Sequence, residues 1–187
     1  MIFLSASIPT PGREFYGTED VIAIREAIMA FTKVCMVDKI PFYFGGHPAI
    51  TPLIWEVAKD YAPDDFKELI RIYQSAFFID MTPKEVSFFE NIVWTERKDD
   101  LRSSVDYMRH QMFSENKTDA AVFVGGMEGV IDECDMIKEY NPEIKILPMA
   151  TTGAASRELY KKLNVNNPDL EDNYSYVSVF RKYLKSL

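Results

Sequence analysis

Histidine and cysteine are scarce, at two each among 187 residues. His47 and His110 are the only histidines. So few exclude a multi-histidine metal site, and without any G-x-S-x-G they also disfavour a Ser-His-Asp triad. Cys35 and Cys134 stand far apart with no ligand spacing. A disulfide framework or zinc site is therefore not expected, and the usage suits a reducing cytoplasm. Positive charge is also short. Lys and Arg total 21 against 29 Asp and Glu, a net charge of −8. That balance argues against general nucleic-acid binding and against an anionic membrane surface. No apolar run approaches the ~20 residues of a membrane span. The start MIFLSASIP lacks a basic region and is too short in apolar residues for a signal peptide. There is no Walker A sequence and no G-x-G-x-x-G, which disfavours a standard kinase or dinucleotide dehydrogenase. No metal and no cofactor are expected, and the expected location is the cytoplasm.

What is present is the profile of an ordinary globular chain, 47% hydrophobic and 27% charged, rich in Phe and Tyr. Strand and helix patterns alternate along it. Residues 1–7 read as a strand and 8–17, with Pro9, Pro11, Gly12 and Gly17, as a loop. Thr18 is placed to cap a helix reaching Val37, with Ile24, Ala27, Ile28 and Phe31 at helical spacing. Residues 41–46 read as a strand, and Pro48 suits the first turn of a helix carrying Ile50, Leu53, Ile54 and Val57. A strand over 67–73, a short helix over 82–91, a strand at 92–94 and a polar helix over 99–115 follow. Residues 120–124 form a wholly apolar strand, as at the centre of a parallel sheet. A helix to about Tyr140, a strand over 144–149, a helix over 154–163 and a helical tail from Tyr176 to Leu187 complete the pattern. The loops 8–17 and 164–175 are the longest. This alternation predicts one domain over 1–187: an open, mainly parallel, Rossmann-like α/β sheet with helices on both faces. Its ligand belongs at the carboxyl edge of the strands.

The same phrase recurs at that edge, a short apolar strand running into a turn of tiny residues. Ile2-Phe3-Leu4 leads to Ser5-Ala6-Ser7, Phe42-Tyr43-Phe44 to Gly45-Gly46-His47, and Ala121-Val122-Phe123-Val124 to Gly125-Gly126-Met127-Glu128-Gly129. Such turns let backbone approach a ligand, and the following helix points free N–H groups at it. Equally, a glycine pair can simply make a tight strand–helix turn. Glu133 follows Asp132 early in the next helix and suits a ribose contact or general acid/base work. One of these two acids is expected to be solvated, and spacing from the glycines favours Glu133 as the inward one. Arg109, from spacing alone, reads as a surface arginine near a helix end. Thr152 and Gly153 lie in a fourth small-residue turn, and His47 lies in the second. His110 is placed on the polar helix beside Arg109.

Taken in order, Ser-Ala-Ser, Gly-Gly, a helical Arg and then Gly-Gly-x-x-Gly-x-x-x-Glu resemble the SLOG superfamily over roughly residues 1–160. That superfamily groups the Lonely Guy phosphoribohydrolases, DprA-like proteins and sensor domains of bacterial antiphage systems. Arg109-His110 stands where the Lonely Guy enzymes have an Arg-Lys pair. Gly125 to Glu133 stands at their P-G-G-x-G-T-x-x-E signature. Here Val124 replaces the proline, the Gly-Thr pair is absent, and the glycine-to-glutamate segment is one residue longer. The Gly-Gly-Met-Glu-Gly and Thr-Thr-Gly-Ala-Ala wording is closer to the SLOG domains of antiphage defence, such as that of the Thoeris effector. The resemblance implies a nucleotide-derived ligand of ADP-ribose or cyclic ADP-ribose type, bound by Ser5, Ser7, Gly45, Gly46, His47, Arg109, Gly125, Gly126, Met127, Glu128, Gly129, Glu133, Thr152 and Gly153. In this reading Arg109 pairs a phosphate and the glycines cradle it. If the chain is instead an enzyme releasing base from a nucleoside phosphate, Glu133 and Arg109 are its catalytic pair. The resemblance also implies a homodimer or higher oligomer and an effector domain or partner protein. Whether the chain is a whole protein or an excised domain stays open.

Overall fold

The computed structural model describes residues 1–62 and 64–185. Its centre is β1 (Ile2–Ser7), which pairs in parallel with β2 (Phe42–Gly45) on one side and β5 (Ala120–Gly125) on the other. β3 (Ile70–Ser75) and β4 (Ile92–Thr95) extend the first side, and β6 (Lys145–Met149) the second. The order β4-β3-β2-β1-β5-β6 is parallel throughout. The chain winds outward from β1 to β4, then returns across the sheet to start again at β5. The crevice where it reverses lies between the carboxyl ends of β1 and β5, where open α/β sheets bind ligands.

Two helical layers cover the sheet because its strands are apolar on both faces. On one face lie α1 (Val21–Val37), α2 (Thr51–Tyr61) and α8 (Tyr176–Leu184). There Ile2, Leu4, Phe42, Phe44, Ile70 and Val122 meet Ile24, Ile28, Phe31, Ile54 and Phe180. Phe31 stands edge-on to Phe42 and Phe180, with ring centroids 5.0 and 5.5 Å apart. On the other face lie α4 (Leu101–Glu115), α5 (Glu128–Tyr140) and α6 (Ala154–Lys162). Phe3, Tyr43, Tyr73 and Phe123 pack there on Met112, Phe113, Cys134 and Leu159. Full burial of each such side chain contributes about 1.5–3 kcal/mol. The second face turns polar toward the carboxyl edge, where alternation along β1 brings Ser5 and Ser7 after Phe3.

Local differences from the sequence reading have physical causes. Thr18 does not cap α1. Its hydroxyl donates to the Phe15 carbonyl, and Asp20 accepts from the Ala23 N–H instead. Pro48 lies in a turn held by His47, and Pro52 occupies the first turn of α2. The strand expected over 67–73 begins at Ile70, because α3 (Phe66–Leu69) coils to push Phe66 against Trp55 and Phe89. The helix expected over 82–91 is one short 3-10 segment, Lys84–Phe88, and a further 3-10 segment, Ala76–Met81, precedes it across extended Thr82 and Pro83. Within 164–175 there is a short helix, α7 (Pro168–Glu171). Of the tail helix expected to Leu187, Ser186 and Leu187 lie outside the described residues.

Backbone geometry at the end of β5 permits only glycine. Gly125 and Gly126 have φ of +59° and +96°. A Cβ on Gly125 would lie 2.4 Å from Ile24 Cδ1 and 2.9 Å from the Ser7 carbonyl oxygen. Left-handed strain and overpacking add here, so Gly125→Ala should cost about 2–4 kcal/mol of stability. Urea denaturation of the variant beside the wild type measures this.

Candidate functional site

Four strands bring small or hydroxyl-bearing residues to the carboxyl edge on the α4–α5 side. Ser5 and Ser7 end β1, Gly45 ends β2, Ser75 ends β3 and Thr95 ends β4. Strand register places Ser7 beside Gly125 and Ser75 beside Thr95. The helices then aim charged groups at this edge from above.

Arg109 is the organising side chain. It is 8% exposed, so it is not the surface arginine that spacing suggested. Its Nε donates to Glu133 Oε1 and its Nη2 to the Gly129 carbonyl, both at 3.1 Å. Nη1 lies 3.6 Å from Asp106 Oδ1 and 3.6 Å from Asp132 Oδ2. Glu133 takes its other hydrogen bond at Oε2 from Ser5 Oγ, at 2.5 Å. The chain Arg109–Glu133–Ser5 thus ties α4, α5 and β1 together across the crevice. Glu133 side-chain exposure is 17% against 62% for Asp132, so the inward acid is Glu133. Gly129 makes room for this network, since a Cβ there would stand 2.5 Å from Arg109 Nη2.

The glycine turn after β5 is less open than its sequence suggests. The Gly125 N–H donates to Thr152 Oγ1 at 2.8 Å, and the Gly126 N–H to the Ser7 carbonyl at 2.8 Å. Neither points freely at a ligand. The N–H groups that helix geometry leaves over belong to Met127 and Gly129, at the start of α5, where no N-cap side chain serves them, while that of Glu128 meets its own carboxylate. Glu128 itself is paired with Arg13 from the loop 8–17. Burial pushes Glu128 upward, but its own backbone N–H and Arg13 outweigh that and hold its carboxyl below the usual range.

The remaining predicted residues sit around this centre. Gly45 faces Met108, and Gly46 lies under Gln74, whose Oε1 would be 2.0 Å from a Cβ there. Thr152 is fully buried, its hydroxyl donating to the Met149 carbonyl at 2.6 Å as well as accepting from Gly125. Gly153, with φ +69°, packs on Thr18 and Glu19 at the entry to α1. The fourth turn is therefore spent holding β6, β5 and α1 together. His47 accepts the Ala49 N–H at Nδ1 and donates its own backbone N–H to Thr51. Burial lowers its pKa from the ordinary 6.5 to about 4. His110 is exposed and bonds Tyr140 of α5 at 2.8 Å. Sequence reasoning missed Arg13, Gln74, Ser75, Thr95 and Asp106. Ser75 and Thr95 had a signal, as small polar residues closing apolar strands, whereas nothing local marks Arg13. Two cavities, of about 350 and 630 Å³, lie elsewhere, beside the starts of α1 and α8 and beside α6. Neither includes the Arg109 network.

The model of the SLOG cluster3 family matches residues 14–184, and the chain belongs to that family. No protein of curated function matches it. Among the described residues no helix is long and apolar enough to cross a membrane.

Removing Arg109 strips Glu133 of its counter-charge in a nearly dry place. Arg109→Ala should therefore lower stability by about 2–4 kcal/mol, against the near-zero effect of an exposed arginine. Denaturant titration distinguishes the two. His47 supplies a pH test. Unfolded His47 protonates near 6.5 and the folded residue only near 4, so the folded state loses stability as pH falls through that window. The loss should reach roughly 3 kcal/mol at most. Thermal midpoints at several pH values should fall less steeply between 6.5 and 4 in His47→Asn than in the wild type.

Proposed function

We propose that this member of the SLOG cluster3 family binds a nucleotide-derived ligand, of ADP-ribose or cyclic ADP-ribose type, at the carboxyl edge between β1 and β5. The observation that carries this is the Arg109–Glu133–Ser5 network, a buried charged chain at the reversal point of a parallel sheet. Buried charged groups gathered at the binding edge of an α/β sheet mark a candidate functional site. Ser5, Ser7 and Glu133 line the crevice, and the first turn of α5 supplies free N–H groups. In this reading the chain is a single sensor domain over 1–187, cytoplasmic and homodimeric, acting in antiphage signalling through a fused or partner effector. Family membership supports the nucleotide ligand class. The dimer draws support from Leu101 and Tyr107 of α4, which remain 47% and 40% exposed.

A second reading is N-glycosidic hydrolysis. Glu133 favours it, because an oriented carboxylate beside a ribose is what stabilises a developing oxocarbenium ion or activates water. Incubation with AMP, NAD and ADP-ribose, followed by chromatography, separates the two. A sensor returns each bound compound uncut. A hydrolase releases free base, and Glu133→Gln abolishes that release while binding persists. Failure of all three compounds to bind would refute both readings.

A further inference from the structure

The outermost strand β4 has a neighbour on one side only. Ile72 pairs with Ile92, and the Ile72 N–H donates to the Asn91 carbonyl at 2.9 Å. In a parallel ladder this turns the Val93 and Thr95 N–H groups toward β3 and those of Ile92 and Trp94 away from it. The Ile92 and Trp94 N–H groups have no partner among the described residues. Sheet edges are commonly blunted by a charge, a proline or a bulge. Ile92-Val93-Trp94-Thr95 has no charge and no proline, and its register with β3 is unbroken. Apolar surface adjoins this edge. Trp94 is 45% exposed, and the 3-10 segment Ala76–Met81, which follows β3, buries none of its residues. Lys98 Nζ lies 4.0 Å from the centroid of the Tyr107 ring, so the exposed ring of α4 reaches the same edge.

The residues flanking β4 say what fits there. A second copy of this chain, paired antiparallel about a two-fold axis, bonds the outward groups in one of three registers. Ile92 on Ile92 sets Glu90 against Trp94 and faces no opposite charges. Ile92 on Trp94 sets Glu90 against Glu96, and like charges directly opposite are unfavourable. Trp94 on Trp94 sets Glu90 against Lys98 and Asn91 against Arg97, and the two-fold axis repeats both pairs. The edge is thus complementary to itself in one register. Within a single chain Glu90 reaches Lys67 and Lys98 reaches Glu96, exposed pairs that give way at little cost.

We propose that β4 is the seam between two copies of this chain. The strands pair antiparallel with Trp94 opposite Trp94, so that one sheet runs through both copies. The two Trp94 residues exchange backbone hydrogen bonds, their rings meet on one face, and Glu90 pairs with Lys98 at each end of the seam. This names the interface of the homodimer in the reading above and rests on that part of the reading alone.

The experiment is light scattering of the full chain over a dilution series at micromolar concentration, with amide hydrogen exchange on the same samples. The proteins are wild type, Trp94→Lys, Glu90→Lys, Lys98→Glu and the double variant Glu90→Lys/Lys98→Glu. The three side chains lie at the surface, so the variants should fold, which melting curves verify. The wild type should be a dimer and Trp94→Lys a monomer. Each single charge reversal should raise the dissociation constant of the dimer by about tenfold, and the double variant should restore it. The Ile92 and Trp94 amides should exchange slowly in the wild type and fast in Trp94→Lys. A dimer that survives Trp94→Lys, or whose Ile92 and Trp94 amides exchange fast, overturns the seam and leaves the homodimer standing. Single reversals that the double variant fails to rescue overturn it as well. A wild type that stays monomeric overturns the seam and the homodimer together, leaves the ligand reading intact, and makes a strand from another protein the remaining occupant of the edge.

Discussion

The edge of this sheet is built around one buried cation. Arg109 crosses from α4 to α5, and every nitrogen of its guanidinium faces an oxygen, from Glu133, Gly129, Asp106 or Asp132. The geometry accounts for several features at once. Gly129 is side-chain-free because the guanidinium lies against it. Ser5 ends the apolar run of β1 because Glu133 needs a second donor. A buried ion pair does not by itself stabilise a fold, since both charges give up water. Its contribution is to fix how α4, α5 and β1 stand relative to each other, which is the geometry a ligand in the crevice meets.

A second constraint is backbone proximity. Gly125 and Gly126 run between Ser7, Ile24 and Val130 with no space for a Cβ, and both donate inward. Thr152 closes the arrangement by bonding β5 and β6 through one hydroxyl. These glycines shape the crevice by letting β5 turn sharply beside β1. Their own amides are structural. Beside them the edge presents the first turn of α5 and the polar ends of β1, β3 and β4.

Much of the fold was legible in the residues. The apolar runs of β1, β2 and β5, the helical spacing of α1 and the small-residue turns imply a parallel α/β sheet with its ligand edge at the strand ends. Glu133 and the Ser5 turn were legible for the same reason, because they follow strands directly. The short elements were not. Whether 66–69 coils or extends depends on Phe66 finding Trp55 and Phe89. Whether 84–88 is α or 3-10 depends on the extended Pro83 before it and Phe89 after it. Neither decision is encoded in local periodicity.

The sequence by itself determined the class of fold, the small-residue turns at the strand ends and the scarcity of histidine and cysteine, because period, turn residues and composition are local properties. Only the tertiary structure decided what the charges do. Arg109 looks like a surface residue from its position in a polar helix, and burial between α4 and α5 makes it the centre of the edge. The glycine amides look free, yet Ser7 and Thr152 take them. Arg13, in an unremarkable loop, finds Glu128 far along the chain. Such pairings depend on which elements are neighbours in space, and the crossover from β4 back to β5 sets that.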